Sequence, residues 1–207
     1  MPRTKTYSAA EVLDAAKAVF WESGFESTAI SDLEQRTGLH RSSLYHGFGS
    51  KRTLFMLVLR SYLESFVDPL LDAMERQPPQ LQSIRSFFLA VAAIFDADPE
   101  SARRGCLIVN AMGGGLREDD EAARIIRSHP ERLKRAFTRC LKAPPPTMTK
   151  AQIDRRAAML ASATLGVWLS ARVDPQMAAV RCRDVAREVG TWASRGSENG
   201  AARAPRR

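Results

Sequence analysis

The chain has 207 residues, 44% of them hydrophobic and 26% charged, with a formal net charge of +8. That length allows one or two domains, and no apolar run approaches the ~20 residues that a membrane-spanning helix needs. The N-terminus, MPRTKTYSAAEV, lacks the apolar core of a signal peptide, and the three cysteines (Cys106, Cys140, Cys182) are scattered without a CxxC pair or zinc-ligand spacing, so a cytoplasmic protein with reduced thiols, no metal and no cofactor is expected.

Apolar residues recur at helical spacing along the chain and short alternating runs hardly occur, so the fold class is all-α. Ser8-Ala9-Ala10-Glu11 predicts a capping box opening the first helix, and Val12, Ala15, Ala16, Val19 and Phe20 form its apolar stripe. Gly24 predicts its stop. Thr28 is the expected N-cap of a short second helix with Ile30 and Leu33 inward, closed by Gly38. A third helix is expected from about His40 and Arg41, anchored by Leu39 and Leu44. Two short helices joined by a tight glycine-containing turn read as a helix-turn-helix.

Ser50 predicts the cap of a fourth, long helix running to about Arg76, kinked at Pro69 and ended by Gln77-Pro78-Pro79. Further helices are expected over 81–97, 102–112 (stopped by the glycines at 113–115), 119–141 (interrupted at Pro130), 150–172 (capping box Thr149 to Gln152) and 175–193 (Asp174 cap, Pro175 at N1). This divides the chain into a helix-turn-helix domain (1–55), a helical C-terminal domain (56–195) and a flexible tail (196–207).

The charge is unevenly placed. No acidic residue lies between Gln35 and Leu63, a span that holds Arg36, Arg41, Lys51, Arg52 and Arg60. A helix starting at Arg41 suits the DNA major groove, with Arg41 placed to pair with guanine and Ser42 and Ser43 short enough for close approach. Tyr45 and His46, one turn on, can reach phosphate. Lys51 sits where the helix dipole disfavours a cation, which a nearby phosphate would explain. Thr28 could donate to a phosphate in the same way, and His40 stands at the helix entry.

The stretch GFESTAISDLEQRTGLHRSSLYHGFGSKRTLF resembles the N-terminal signature of the TetR family of transcriptional regulators. The matching positions are Gly24-Phe25, Thr28, Ile30 and Leu33, Gly38, Tyr45, Phe48, Lys51 and Leu54-Phe55. Three positions depart from the pattern: Thr37 stands where Ala is usual, His40 where a Ser or Thr cap is usual, and Gly47 where an aromatic or imidazole residue is common. Gly47 is expected to loosen the end of the third helix. The segment RGCLIVNAM (104–112) resembles a segment of one broad subgroup, and the last two helices resemble the family's dimerising pair.

The resemblance implies a homodimer whose N-terminal domains bind a double-stranded DNA operator and whose helical C-terminal domains dimerise and bind a small-molecule effector. The expected function is a repressor released from a palindromic operator by that effector. The alternatives are an activator of the same family and a non-specific architectural DNA-binding protein. No GxSxG, HExxH or P-loop pattern supports an enzyme. The helix over 150–172 is apolar nearly all round, so it needs cover on more than one side; Leu165, Trp168, Met177, Val185 and Trp192 are the expected dimer residues. Phe66, Phe88, Phe95, Cys106, Asn110 and Met159 are the candidates for an effector pocket, chosen among residues that periodicity cannot separate from ordinary core. Cys106 reads first as a small core residue and second as a redox sensor.

Overall fold

The computed structural model describes residues 8–76, 78–114, 120–143 and 148–201, with residue 120 and residues 193–201 given by backbone alone. Among the described residues every regular element is helical: α1 (Ala9–Ser27), α2 (Ile30–Thr37), α3 (Arg41–Phe48), α4 (Lys51–Tyr62), a π-helical turn (Leu63–Val67), α5 (Asp68–Arg76), α6 (Leu81–Ala97), α7 (Pro99–Ala102), α8 (Leu107–Ala111), α9 (Asp120–Leu141), α10 (Lys150–Ala171) and α11 (Pro175–Ala201).

The helix starts follow local chemistry. Ser8 Oγ accepts from the Glu11 N–H and the Glu11 carboxylate accepts from the Ser8 N–H, a reciprocal capping box. Thr149 and Gln152 repeat it at α10. Ser50 Oγ accepts from the Thr53 N–H at 3.0 Å, and Asp174 Oδ1 from the Met177 N–H at 2.9 Å.

Several expected boundaries move. The chain does turn at Gly24 (φ 75°, ψ 168°), but one further helical turn continues to Ser27. Thr28 does not cap α2: Ala29 holds that position, and Asp32 accepts from its N–H at 2.8 Å. The long helix over 51–76 stays continuous but widens into the π turn just before Pro69, whose missing N–H leaves the Ser65 carbonyl without its α-helical donor. The helix expected over 102–112 is split into α7 and α8, because Gly105 takes φ 70° where an added Cβ would lie 2.9 Å from Arg172 Cγ.

Pro130 does not interrupt α9. The lost hydrogen bond is offset by an apolar stripe (Leu133, Ala136, Phe137, Cys140) buried against the neighbouring helices. Helix α11 runs past the expected end at 193 to Ala201; extending a packed helix needs no new nucleus, and no proline intervenes before Pro205. The proposed tail is thus helical in backbone over 196–201, and 202–207 lie outside the described residues, as do Gly115 and residues 144–147.

The core is one continuous apolar cluster from Val12 in α1 to Trp192 in α11. In the N-terminal part Phe20 meets Phe55 edge-on, with ring centroids 4.9 Å apart, and Phe25 lies 5.1 Å from Phe55. Burying side chains of this size contributes about 1.5–3 kcal/mol each, so α1 and α4 form the rigid back of the small helical unit. The C-terminal part is a bundle in which α6 packs along α11 and α10 crosses both α9 and α11. Arg132 of α9 reaches three carboxylates of α5: Asp68, Asp72 at 2.7 Å and Glu75 at 3.1 Å. No described helix is long and apolar enough to cross a membrane.

Candidate nucleic-acid interface

Helix α2 is held by Leu33, which is fully buried, and by Thr37, also buried. The Thr37 hydroxyl donates to the Leu33 carbonyl at 2.6 Å and accepts from the Leu39 N–H at 3.3 Å, so this polar departure from the family pattern is satisfied inside the turn. Gly38 adopts the left-handed conformation (φ 71°, ψ 11°) and its N–H reaches the Glu34 carbonyl. The chain then enters α3 at His40, whose side chain makes no capping bond. Glu34 takes that role from the neighbouring helix: its carboxylate accepts from the Arg41 N–H at 2.6 Å.

Only Leu44 of α3 is buried, with Leu39 and Phe48 packed at its two ends. The remaining helix surface presents Arg41, Ser42, Ser43 and His46 to solvent, with Tyr45 half-buried. The Arg41 guanidinium lies 5.2 Å from the centre of the Tyr45 ring. Gly47 stays helical and does not shorten α3; an added Cβ there would meet nothing within 4 Å. Gly49 (φ 81°) makes the turn that ends α3. The result is an exposed, acid-free helix face projecting from a rigid three-helix support, a shape that fits the major groove.

Thr28 and Lys51 sit differently from the expectation. Thr28 is 2% exposed, and its hydroxyl donates to the Gly24 carbonyl at 2.6 Å. Lys51 Nζ donates to the Thr28 carbonyl at 2.8 Å and to the Glu26 carbonyl at 3.4 Å, and it lies 4.7 Å from the centre of the Phe25 ring. A cation at this helix N-terminus is therefore already matched by two carbonyls and a π-face. Arg60, the last base of the acid-free span, is paired with Glu121 of α9.

The pocket candidates divide. Phe66 and Cys106 line a small, partly open cavity of 20 Å³, together with His129 and Thr164, which the sequence pattern did not single out. His129 falls on the buried stripe of α9 three residues after Ile126 and four before Leu133, a spacing that could have identified it. Burial and the adjacent Arg132 lower its pKa to about 4, so its imidazole is neutral. Burial raises the Cys106 thiol above its ordinary range, which keeps it protonated and favours the core reading. Phe88 and Phe95 are buried elsewhere, Phe88 against Phe137 and Phe95 edge-on to Trp168. Asn110 donates to the Arg104 carbonyl at 2.7 Å and faces a separate groove between α8 and the end of α1. Met159 is 50% exposed on the outer surface, apart from the residues that line this cavity.

Among the dimer candidates, Trp168 and Trp192 are buried within their own chain, packed against Phe95 and under Arg156 respectively. Leu165 and Val185 are half-buried, and Met177 is exposed. The apolar residues left outside on α10, α11 and their connecting turn are Met159, Leu169, Val173, Met177 and Val180.

Residues 12–58 match the sequence model described as bacterial regulatory proteins, tetR family. The chain is 36% identical over 138 residues to the uncharacterized HTH-type transcriptional regulator YezE of Bacillus subtilis, a match that spans 66% of this chain and 70% of that protein. It is 30% identical over 109 residues to the HTH-type transcriptional repressor ComR of Escherichia coli, spanning 52% of this chain and 51% of that one. In three dimensions it is similar to a cysteine-substituted form of the TetR family regulator CifR in complex with 26-bp operator DNA, with a TM-score of 0.74, 22% identity, and coverage of 91% of this chain and 97% of that one. With the exposed α3 face, the family match and the shared fold, the chain belongs to the tetR family of bacterial regulatory proteins and is a DNA-binding transcriptional regulator.

Proposed function

We propose that the protein is a homodimeric repressor that binds a palindromic operator and is released from it by a small-molecule effector held in the C-terminal domain. Residues 1–55 form the DNA-binding unit and 56–195 the effector-binding and dimerising unit, with α4 passing between them. The observation that carries the reading is the exposed, acid-free face of α3. Arg41 reads base edges, Ser42 and Ser43 permit close approach, and Tyr45 and His46 contact phosphate, with His40 at the entry. Thr28 and Lys51 act from behind, by holding the end of α1 and the start of α4 together.

The dimer is supported by the apolar strip of α10 and α11, where Leu169 is 56% exposed and Val173 80%. An unpaired strip of this kind, beside the small residues Ala158, Ser162 and Gly166, suits a second copy of the same helices. Such a dimer would set two α3 helices ~34–36 Å apart on successive major grooves. The repressor role is supported by relatives named as repressors. An effector releases the operator only to the extent that it binds one dimer spacing better than another.

The test is selection of a binding site from random duplexes, followed by titration against the selected and a scrambled sequence. A palindromic product bound at least ~100-fold more tightly than the scrambled duplex supports the reading. Equal binding to both supports an architectural DNA-binding protein instead.

A further inference from the structure

The π turn is the point where three parts of the molecule meet. Below it, Asp68, Asp72 and Glu75 are braced by Arg132 of α9. Above it, Tyr62 meets Trp21 of α1 edge-on at 5.1 Å, and Phe55 meets Phe20. Within it, the Asp68 N–H reaches back five residues to the Leu63 carbonyl, and Phe66 is stacked on Tyr62 at 5.3 Å and lies edge-on to Trp168 at 5.7 Å. Phe66 also forms a wall of the 20 Å³ cavity.

That volume suits one water molecule and nothing larger. A ligand must therefore displace a wall side chain. Phe66 is the candidate, because it is half-buried while the other aromatic walls, Phe87 and Trp168, are 7% and 6% exposed. It is also carried by the π turn, a segment whose alternative is an ordinary α-turn with one residue fewer.

The lining chemistry excludes an ion. The Thr164 hydroxyl already donates to the Leu160 carbonyl at 2.9 Å, His129 is neutral, and the nearby Arg132 is occupied by its three carboxylates. A charged ligand would lose its hydration and gain no counter-ion. One polar group next to this wall lacks a well-formed bond: the buried Tyr62 hydroxyl approaches the Cys106 thiol and the Leu107 backbone but makes no hydrogen bond of normal geometry to either. A phenol O–H in that position calls for an acceptor.

We infer that the effector is an uncharged single-ring aromatic molecule bearing a hydrogen-bond acceptor, which takes the place of the Phe66 ring between Tyr62 and Trp168 and thereby resets the π turn. This rests on the effector-released repressor reading above. The ring recovers the contacts that Phe66 gives up, and the acceptor satisfies Tyr62. Displaced Phe66 moves the upper half of the long helix, and α1 with it, relative to the half that Arg132 holds still.

The experiment uses the full chain, its selected operator duplex, and three probes: toluene, acetophenone and benzoate. Acetophenone is expected to weaken operator binding about tenfold or more, toluene less, and benzoate not at all. In Phe66→Ala the ring-sized void is already open. Calorimetry should then show acetophenone binding about tenfold more tightly, while operator affinity no longer responds to it. Phe66→Leu, which keeps most of the packing, should show the same ordering with smaller changes. Tyr62→Phe should erase the advantage of acetophenone over toluene. A wild-type protein that binds its operator but ignores acetophenone, responds equally to benzoate, or loses no response in either Phe66 variant overturns this inference and leaves the repressor reading intact. A protein that selects no operator removes the repressor reading itself.

Discussion

Lys51 Nζ donates to the carbonyl oxygen of Thr28 at 2.8 Å, tying the first turn of α4 to the entry of α2. The contact gives the lysine a structural purpose before any DNA arrives. Lys51→Ala should therefore lower stability by about 1–2 kcal/mol, the range for a charge-assisted hydrogen bond at a half-exposed site. In a chain of this size that is roughly 2–8 °C in Tm without DNA. A melting temperature unchanged from the wild type would return Lys51 to the role of a free phosphate ligand.

Glu34 caps α3 from another helix, and the effect of its charge can be separated from that of its geometry. Glu34→Gln keeps an oxygen for the Arg41 N–H and should bind operator at least as tightly as the wild type, since it also removes a negative charge near the duplex. Glu34→Ala removes the cap, at a cost of about 1 kcal/mol, and should weaken operator binding several-fold. Equal affinities for the two variants in a fluorescence-anisotropy titration would show that the contact does not position α3.

Arg41→Ala should cost about 1–3 kcal/mol of operator affinity and relax selectivity at one base pair of each half-site. Repeating the binding-site selection with the variant checks this. A uniform loss across all sequences would mean that Arg41 touches phosphate rather than a base.

His129 links stability to pH. Its folded pKa, about 4, lies below the ordinary value of 6.5, so in the window between them the unfolded chain binds a proton that the folded protein does not. Stability is complete above about pH 6.5 and falls as pH drops toward 4, by roughly 3 kcal/mol at most. Urea unfolding at pH 7 and pH 4.5 should show a smaller loss for His129→Leu than for the wild type. The groups facing the imidazole, Arg132 and Asp68, remain in that variant.

The strip on α10 and α11 gives a further variant, Leu169→Glu. In the proposed dimer a carboxylate at this position would be buried against the partner's apolar strip, so the dimer should dissociate in sedimentation velocity. Each freed chain should fold normally, because Leu169 is already 56% exposed.

What the sequence disclosed was local. The caps at Ser8, Ser50, Thr149 and Asp174 depend on residues three apart, and the inward Leu44 with the outward Ser42 and His46, each two residues away, follows from the helical period. What it concealed depends on angles between helices. Glu34 reaches Arg41 only because α2 and α3 meet as they do. Helix α10 is apolar nearly all round, and periodicity cannot tell that Trp168 faces Phe66 and Phe95 while Leu169 faces out. The π turn was legible as a disturbance at Pro69, but not as to its kind. Thr28 misled because a threonine before a short helix has the composition of a cap, whereas here the hydroxyl turns back to Gly24.

Gly47 lies exposed within α3, with open space where a side chain would begin. A glycine inside a helix costs ~1 kcal/mol relative to alanine, so the protein holds an unused, exposed position near the end of α3. Any residue introduced there would encounter water or nucleic acid before it encountered protein. The specificity of this regulator is therefore open to change by single steps that strengthen the helix as they add a contact, and a lineage could acquire a new target site without first weakening its fold.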